Sequence, residues 1–202
     1  MLRHANVSSI KMARWGGKRL GAGRKPQGKL AAVPHHARER FERCFPVHVT
    51  FRMAGTVYNL RSQRSFSALK RALGDAADRF GTRVLHFSVQ GNHMHVIVEA
   101  DDTTSLCRAM KGLAVRIARR MNQMMGRKGR VIGDRYHTHV LRTNREARNA
   151  VAYVRENHRK HMAQAGKPFT GAWTDPFSSW ANVLALPIAR TSLLKHATGF
   201  HS

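Results

Sequence analysis

The stretch "TRVLHFSVQGNHMHVIVEA", residues 82–100, holds two extended-type runs joined only by Gly91 and Asn92. Two strand-like runs with so short a connection read as a tight hairpin, and the halves must then pair antiparallel. A third run, "FPVHVTFRM" (45–53), alternates strictly, with Val47, Val49 and Phe51 on one side and His48, Thr50 and Arg52 on the other. That is the pattern of a half-buried strand. Phe51 and Phe87 fall in phase with Val47, Val49, Leu85 and Val89, which places both rings inward.

Helical periodicity separates these runs. Phe66, Leu69, Leu73, Ala76, Ala77 and Phe80 predict a helix over about 65–80, capped by Ser65 and stopped at Gly81. A second helix is expected over 103–125, opened by Thr103, Thr104 and Ser105 and striped by Leu106, Met110, Leu113, Ile117 and Met121. "RYHTHVLRT" reads as a fourth strand, and Asn144 is expected to cap a third helix, "REARNAVAYVRENHRKHM". A short helical run is possible near 188–196. The order strand, helix, strand, strand, helix, strand, helix predicts an α+β fold, an antiparallel ferredoxin-like (RRM-like) sheet covered by helices. The chain divides into a basic N-terminal arm (1–42), one domain (43–165) and a C-terminal tail (166–202).

Lys and Arg number 36 against 11 acidic residues, a net charge of +25. Such an excess suits a polyanion, above all nucleic acid. The arm contains "WGGKRLGAGRKPQGK", too poor in apolar residues to build a core but able to order against phosphates through Lys18, Arg19, Arg24 and Lys25. No run approaches the ~20 apolar residues of a spanning helix, so no membrane is expected and the chain reads as cytoplasmic and nucleoid-associated. Cys44 and Cys107 form no Cys-x-x-Cys pair and read as ordinary reduced thiols.

The residues with most chemistry are His93 and His95. On a strand, positions i and i+2 share a face, so both imidazoles can reach one cation while Met94 anchors the opposite face in the core. "HTH" at 137–139 is a useful contrast, because its middle residue, Thr138, is polar and the pair is expected to face solvent or a phosphate backbone. In the third helix Tyr153 and Asn157 lie one turn apart, on the shoulder of an apolar stripe of Ala147, Val151, Val154 and His158. Arg148, Arg155 and Arg159 surround them. The second helix carries Arg116, Arg119 and Arg120 on its polar face, and Arg135 leads into the fourth strand.

"GNHMHVIVE" followed by "DRYHTHVLRTNREARNAVAYV" and "YVREN" resembles the single-tyrosine HUH transposases, IS200-like, and among them the REP-associated tyrosine transposases. The resemblance covers about residues 45–165. "GGKRLGAGRKP" and "DPFSS" are similar to flanking segments of that group, whereas "SSWANVLALP" lacks the aromatic-glycine segment expected after "DPFSS". Carried over by position, the resemblance implies that Tyr153 is a nucleophile and that His93, His95 and Asn157 hold Mg²⁺ or Mn²⁺. It implies cleavage of single-stranded DNA beside hairpins through a 5′-phosphotyrosine intermediate, and it favours a monomer over a homodimer. A non-catalytic RNA- or DNA-hairpin binding module, or a domesticated inactive transposase, is the alternative from the same charge and fold.

Overall fold

The computed structural model describes residues 39–167, 169, 171–182 and 186–198. Its elements are β1 (Phe45–Arg52), α1 (Gln63–Gly74), β2 (Asp78–Arg79), β3 (Thr82–Val89), β4 (His93–Ala100), α2 (Thr103–Met124), β5 (His137–Val140), α3 (Asn144–Gln164) and α4 (Ser192–Thr198). The strands form one sheet in the order β2-β3-β4-β1-β5, with every pair antiparallel. Without the two-residue β2, this is the interleaved order of a ferredoxin-like sheet: β1 inserts beside β4, outside the β3–β4 hairpin. The α+β expectation therefore holds.

The sheet is covered on both faces, and alternation decides what goes where. Val47, Val49 and Phe51 of β1 stand opposite Val98, Val96 and Met94 of β4, and all six are fully buried against α1 and α2. The other face puts Ile97 and Leu85 with Leu141 under Ala147, Ala150, Val151 and Val154 of α3 and Leu194 of α4. The eight residues of β1, β3 and β4 give each face only about four side chains per strand. Two helical layers supply the remaining apolar surface.

Several local expectations are corrected. Ser62, not Ser65, caps α1: its hydroxyl accepts from the Ser65 amide at 3.2 Å, while Ser65 itself is buried. The helix also stops at Gly74, six residues early. Phe80 and Gly81 sit at φ 55° and 68° as the two-residue turn between β2 and β3, which is the backbone that a tight hairpin turn requires. Phe80 is consequently an exposed turn residue, and its helical spacing from Leu73 and Ala76 was coincidental. Leu85 does not share the face of Phe87, because a bulge between Val84 and His86 shifts the phase by one residue. Asp102 caps α2, its Oδ1 accepting from the Ser105 amide at 2.7 Å. Thr143 caps α3 in a reciprocal box with Glu146, leaving Asn144 as the first helical residue. The fourth strand is confined to four residues.

The C-terminal segment is tied back to the sheet at two points. Arg61 donates to both carboxylate oxygens of the buried Asp175 at 2.8 and 3.0 Å and to Val89 O at 2.8 Å. The "DPFSS" residues then extend along β3, with Val89 N donating to Phe177 O and Ser179 N to Phe87 O. Further along, Glu99 lies opposite Arg83 and accepts from its guanidinium at 2.8 Å. It also accepts from the amides of Arg190 and Thr191, each at 2.8 Å, and from the Thr191 hydroxyl. Burial would raise the Glu99 carboxyl, but the hydrogen bonds from Thr191, Arg190 and Arg83 outweigh it and hold the pKa below the usual value. Neither Cys44 nor Cys107 is in a disulfide. Among the described residues no helix is long and apolar enough to cross a membrane.

Replacing Glu99 with Gln leaves the Arg83 guanidinium, 2% exposed, without a counter-charge. Chemical denaturation should show a loss of about 3–5 kcal/mol, with the 190–198 segment becoming protease-sensitive before the rest of the chain.

Candidate active site

The register between β1 and β4 builds the floor of the site. Thr50 stands opposite His95 and Arg52 opposite His93, with His48 one step along on the same face. His95 Nδ1 lies 3.1 Å from both Thr50 Oγ1 and His48 Nε2. His93 Nδ1 lies 2.8 Å from Asn92 Oδ1. With the proton on Nδ1 in each ring, these contacts are hydrogen bonds donated by the imidazoles, and Nε2 carries the lone pair. The two rings are 4.9 Å apart, so the expected sharing of a face is met. His95 Nε2 is buried with no hydrogen-bond partner in the protein.

Burial keeps these imidazoles neutral. It pushes His95 down to about 3, with repulsion from His48, His93 and His161 adding to the effect. His48 is lowered to about 4, again chiefly by burial. His93 is lowered by burial and by His161 and Arg52. A neutral ring offers its lone pair, whereas a protonated one cannot.

The roof is α3. Its apolar residues pack on Ile97 and Leu85, and this seats the Tyr153 ring edge-on at 5.2 Å from His95 and 5.8 Å from His48. Two turns later His161 lies 6.1 Å from His93. The helix therefore runs opposite to β4, and Asn157, midway between Tyr153 and His161 on the same helix face, is carried over the histidine pair. Asn157 is 2% exposed, and its Nδ2 has no partner. The described residues contain no group of three or more His, Cys, Asp or Glu side chains able to take a cation together.

The sequence-predicted residues are partly brought together. His93, His95 and Tyr153 meet between β4 and α3, and Asn157 is buried one turn along the helix from Tyr153. Arg148, Arg155 and Arg159 line exposed faces of α3 in the same layer, with Arg155 Nε paired to Glu156 at 3.0 Å. Arg116, Arg119 and Arg120 are on α2, across the sheet, where Arg120 pairs with Asp75. Arg135 is half-buried before β5. Lys18, Arg19, Arg24 and Lys25 lie outside the described residues. His137 and His139, opposite Thr50 and His48, are exposed at the sheet edge as expected. Phe51 and Phe87 are fully buried, so they offer no stacking platform of the RRM kind. Sequence reasoning missed His48, Thr50 and His161 as parts of the site. The first two were visible as the polar face of β1, but nothing local says which strand that face adjoins.

The family model for "Transposase IS200 like" matches residues 47–157, more than half of the chain and a span that contains His48, Thr50, His93, His95, Tyr153 and Asn157. The chain belongs to the IS200-like transposase family. Among solved structures, this family member is similar to the REP-associated tyrosine transposase bound to a REP hairpin. The two are 19% identical with a TM-score of 0.53, over 76% of this chain and 86% of that one, a likeness of fold. A candidate transposase from Deinococcus radiodurans R1 aligns at 16% identity and a TM-score of 0.42, over 60% of this chain and 94% of its own. No curated protein matches by sequence.

Imidazole ¹⁵N shifts should find His95 neutral from pH 8 down to pH 5 with its proton on Nδ1. In Thr50→Val the two tautomers should mix, because one of the two acceptors is gone.

Proposed function

We propose that this transposase-family protein is a metal-dependent single-stranded DNA endonuclease and strand transferase, cutting beside DNA hairpins through a covalent bond to Tyr153. The observation that carries the reading is the tyrosine ring held edge-on against His95 and His48, with His95 Nε2 buried and without a hydrogen-bond partner in the fold.

In this reading the Tyr153 hydroxyl oxygen attacks a backbone phosphorus. The new Tyr–O–P bond forms as the P–O3′ bond breaks, the phenolic proton leaves, and the departing 3′-oxygen takes one up. The products are a 5′-phosphotyrosine and a free 3′-hydroxyl. Because the phosphodiester energy is kept in the protein–DNA bond, attack by a 3′-hydroxyl reverses the step and joins strands without a nucleotide cofactor. His93 and His95 through Nε2, and Asn157 through its amide oxygen, would hold Mg²⁺ or Mn²⁺, which when bound supplies Lewis-acid polarisation of the scissile phosphate. Thr50 and His48 fix the His95 tautomer, and the apolar stripe of α3 fixes the distance from Tyr153 to that pair.

Tyr153 is 38% exposed, its ring lying low between helix and sheet. A single strand can enter there, whereas a duplex would meet the flanking helix first. The REP-associated transposase that shares the fold was solved on a REP hairpin, which supports hairpin-bearing DNA as the substrate. Arg148, Arg155 and Arg159 would meet the unpaired strand, and Arg135, Arg116, Arg119 and Arg120 would meet phosphates of the stem. Lys18, Arg19, Arg24 and Lys25 of the arm would add sequence-independent affinity.

Incubation with labelled hairpin DNA carrying single-stranded flanks and Mn²⁺ should give an adduct that survives denaturing electrophoresis. Tyr153→Phe should give none, and an equal adduct from that variant would remove Tyr153 as the nucleophile. Calorimetric titration should find Mn²⁺ bound ~10-fold more weakly by Thr50→Val, the size of effect expected when a partner of a ligating histidine is lost.

A further inference from the structure

The flank of α3 facing the C-terminal segment carries a second concavity that the chemistry above does not use. It is a pocket of about 250 Å³ between Arg155, Glu156 and Arg159 of the helix and residues 172–180, with Trp173 and Trp180 in its walls. Both indoles are braced. Trp173 stacks face to face on Phe169, with centroids 4.0 Å apart and planes 7° apart, and lies 5.6 Å from His158. Trp180 stacks on His86 at 4.7 Å and 5°. The backbone between them is held by the Arg61–Asp175 pair and by the Ser178 hydroxyl donating to Asp175 O at 2.7 Å. The walls are therefore set by the fold before any ligand arrives.

The contents of the pocket narrow the ligand. Its volume is below the ~300 Å³ at which sites for drug-sized molecules begin, and two rigid indoles favour a flat ring. Arg155 and Arg159 are one helical turn apart and exposed at the rim, a spacing suited to a phosphate. Glu156 is the one unburied carboxylate of the lining. One of its oxygens accepts from Arg155 Nε at 3.0 Å, and the other is an acceptor that a free anion would avoid but that a base edge with N–H donors would seek. Stacking faces, a guanidinium pair and one acceptor together describe a nucleotide within a single strand.

We propose that this pocket is a single-nucleotide subsite that takes one unpaired base bearing an exocyclic amino group. Trp173 and Trp180 stack on the base, Glu156 accepts from the amino group, and Arg155 and Arg159 hold the adjoining phosphate. The subsite rests on the reading of Tyr153 as acting on single-stranded DNA, because both lie on α3 and a base captured here fixes which phosphate the strand presents to the nucleophile.

The test uses the full chain carrying Trp15→Phe, so that Trp173 and Trp180 are the remaining indoles. Six-nucleotide oligo-dC and oligo-dT are titrated in EDTA, and indole fluorescence is followed. Equal backbone charge in the two oligonucleotides removes the contribution of the protein's net charge from the comparison. Oligo-dC should quench saturably and bind ~5-fold or more tightly than oligo-dT, since thymine lacks the amino donor. Glu156→Ala, which removes the acceptor, should keep binding and lose the preference, and Arg159→Ala should weaken both oligonucleotides alike. Equal quenching by dC and dT, or a preference that persists in Glu156→Ala, overturns the subsite. A Tyr153 adduct formed without any quenching would leave the cleavage function standing and remove the pocket. Selective quenching without an adduct would support the pocket and remove the cleavage reading.

Discussion

Pairing of β1 with β4 puts Val49 opposite Val96 and Thr50 opposite His95, and the consequences reach every layer. Because side chains alternate, a slip of one residue would send the valines to the α3 face and the histidines into the core. The register is thus held by the burial of Val47, Val49, Phe51, Met94, Val96 and Val98, and the polar constellation is carried along with it. Thr50 and His48 reach His95 only because the apolar residues beside them have no other satisfactory place. Core and site are two faces of one constraint.

Charge is distributed on a different principle. Among the described residues, the buried Arg83 and the largely covered Arg61 are paired at structural junctions. Arg83 meets Glu99 where β3 and β4 receive the C-terminal segment, and Arg61 meets Asp175 where that segment turns along β3. Both junctions join residues distant in sequence. Arg116, Arg119 and Arg120 of α2 and Arg148, Arg155 and Arg159 of α3 lie in layers separated by the sheet.

Much of this was legible before any coordinates. Strict alternation in "FPVHVTFRM" and the Gly91-Asn92 connection identified three strands. The spacing of Leu106, Met110, Leu113, Ile117 and Met121 identified α2, and all five are buried. The His93/His95 face and its neighbours Tyr153 and Asn157 also emerged, the last two through resemblance. What escaped has common causes. Phe80 mimicked a helical stripe because periodicity is blind to a two-residue turn with positive φ. Leu85 fell on the wrong face because a bulge has no local signature. His48 and His161 joined the site through pairings across tens of residues, which composition and spacing do not encode. "DPFSS" was legible as turn-rich, but its role as a cover for the edge of β3 depends on Arg61, more than a hundred residues earlier.

The seating of α3 on its own sheet has one more implication. His48, Thr50, His93 and His95 come from β1 and β4, and Tyr153 and Asn157 from the helix that packs on those strands within the same polypeptide. The place of the Tyr153 ring is consequently set by apolar contact, with Val151 and Val154 packed in one cluster with Ile97 and Leu85. A change of volume in that cluster would shift the phenol relative to His95 while leaving every polar group of the site in place.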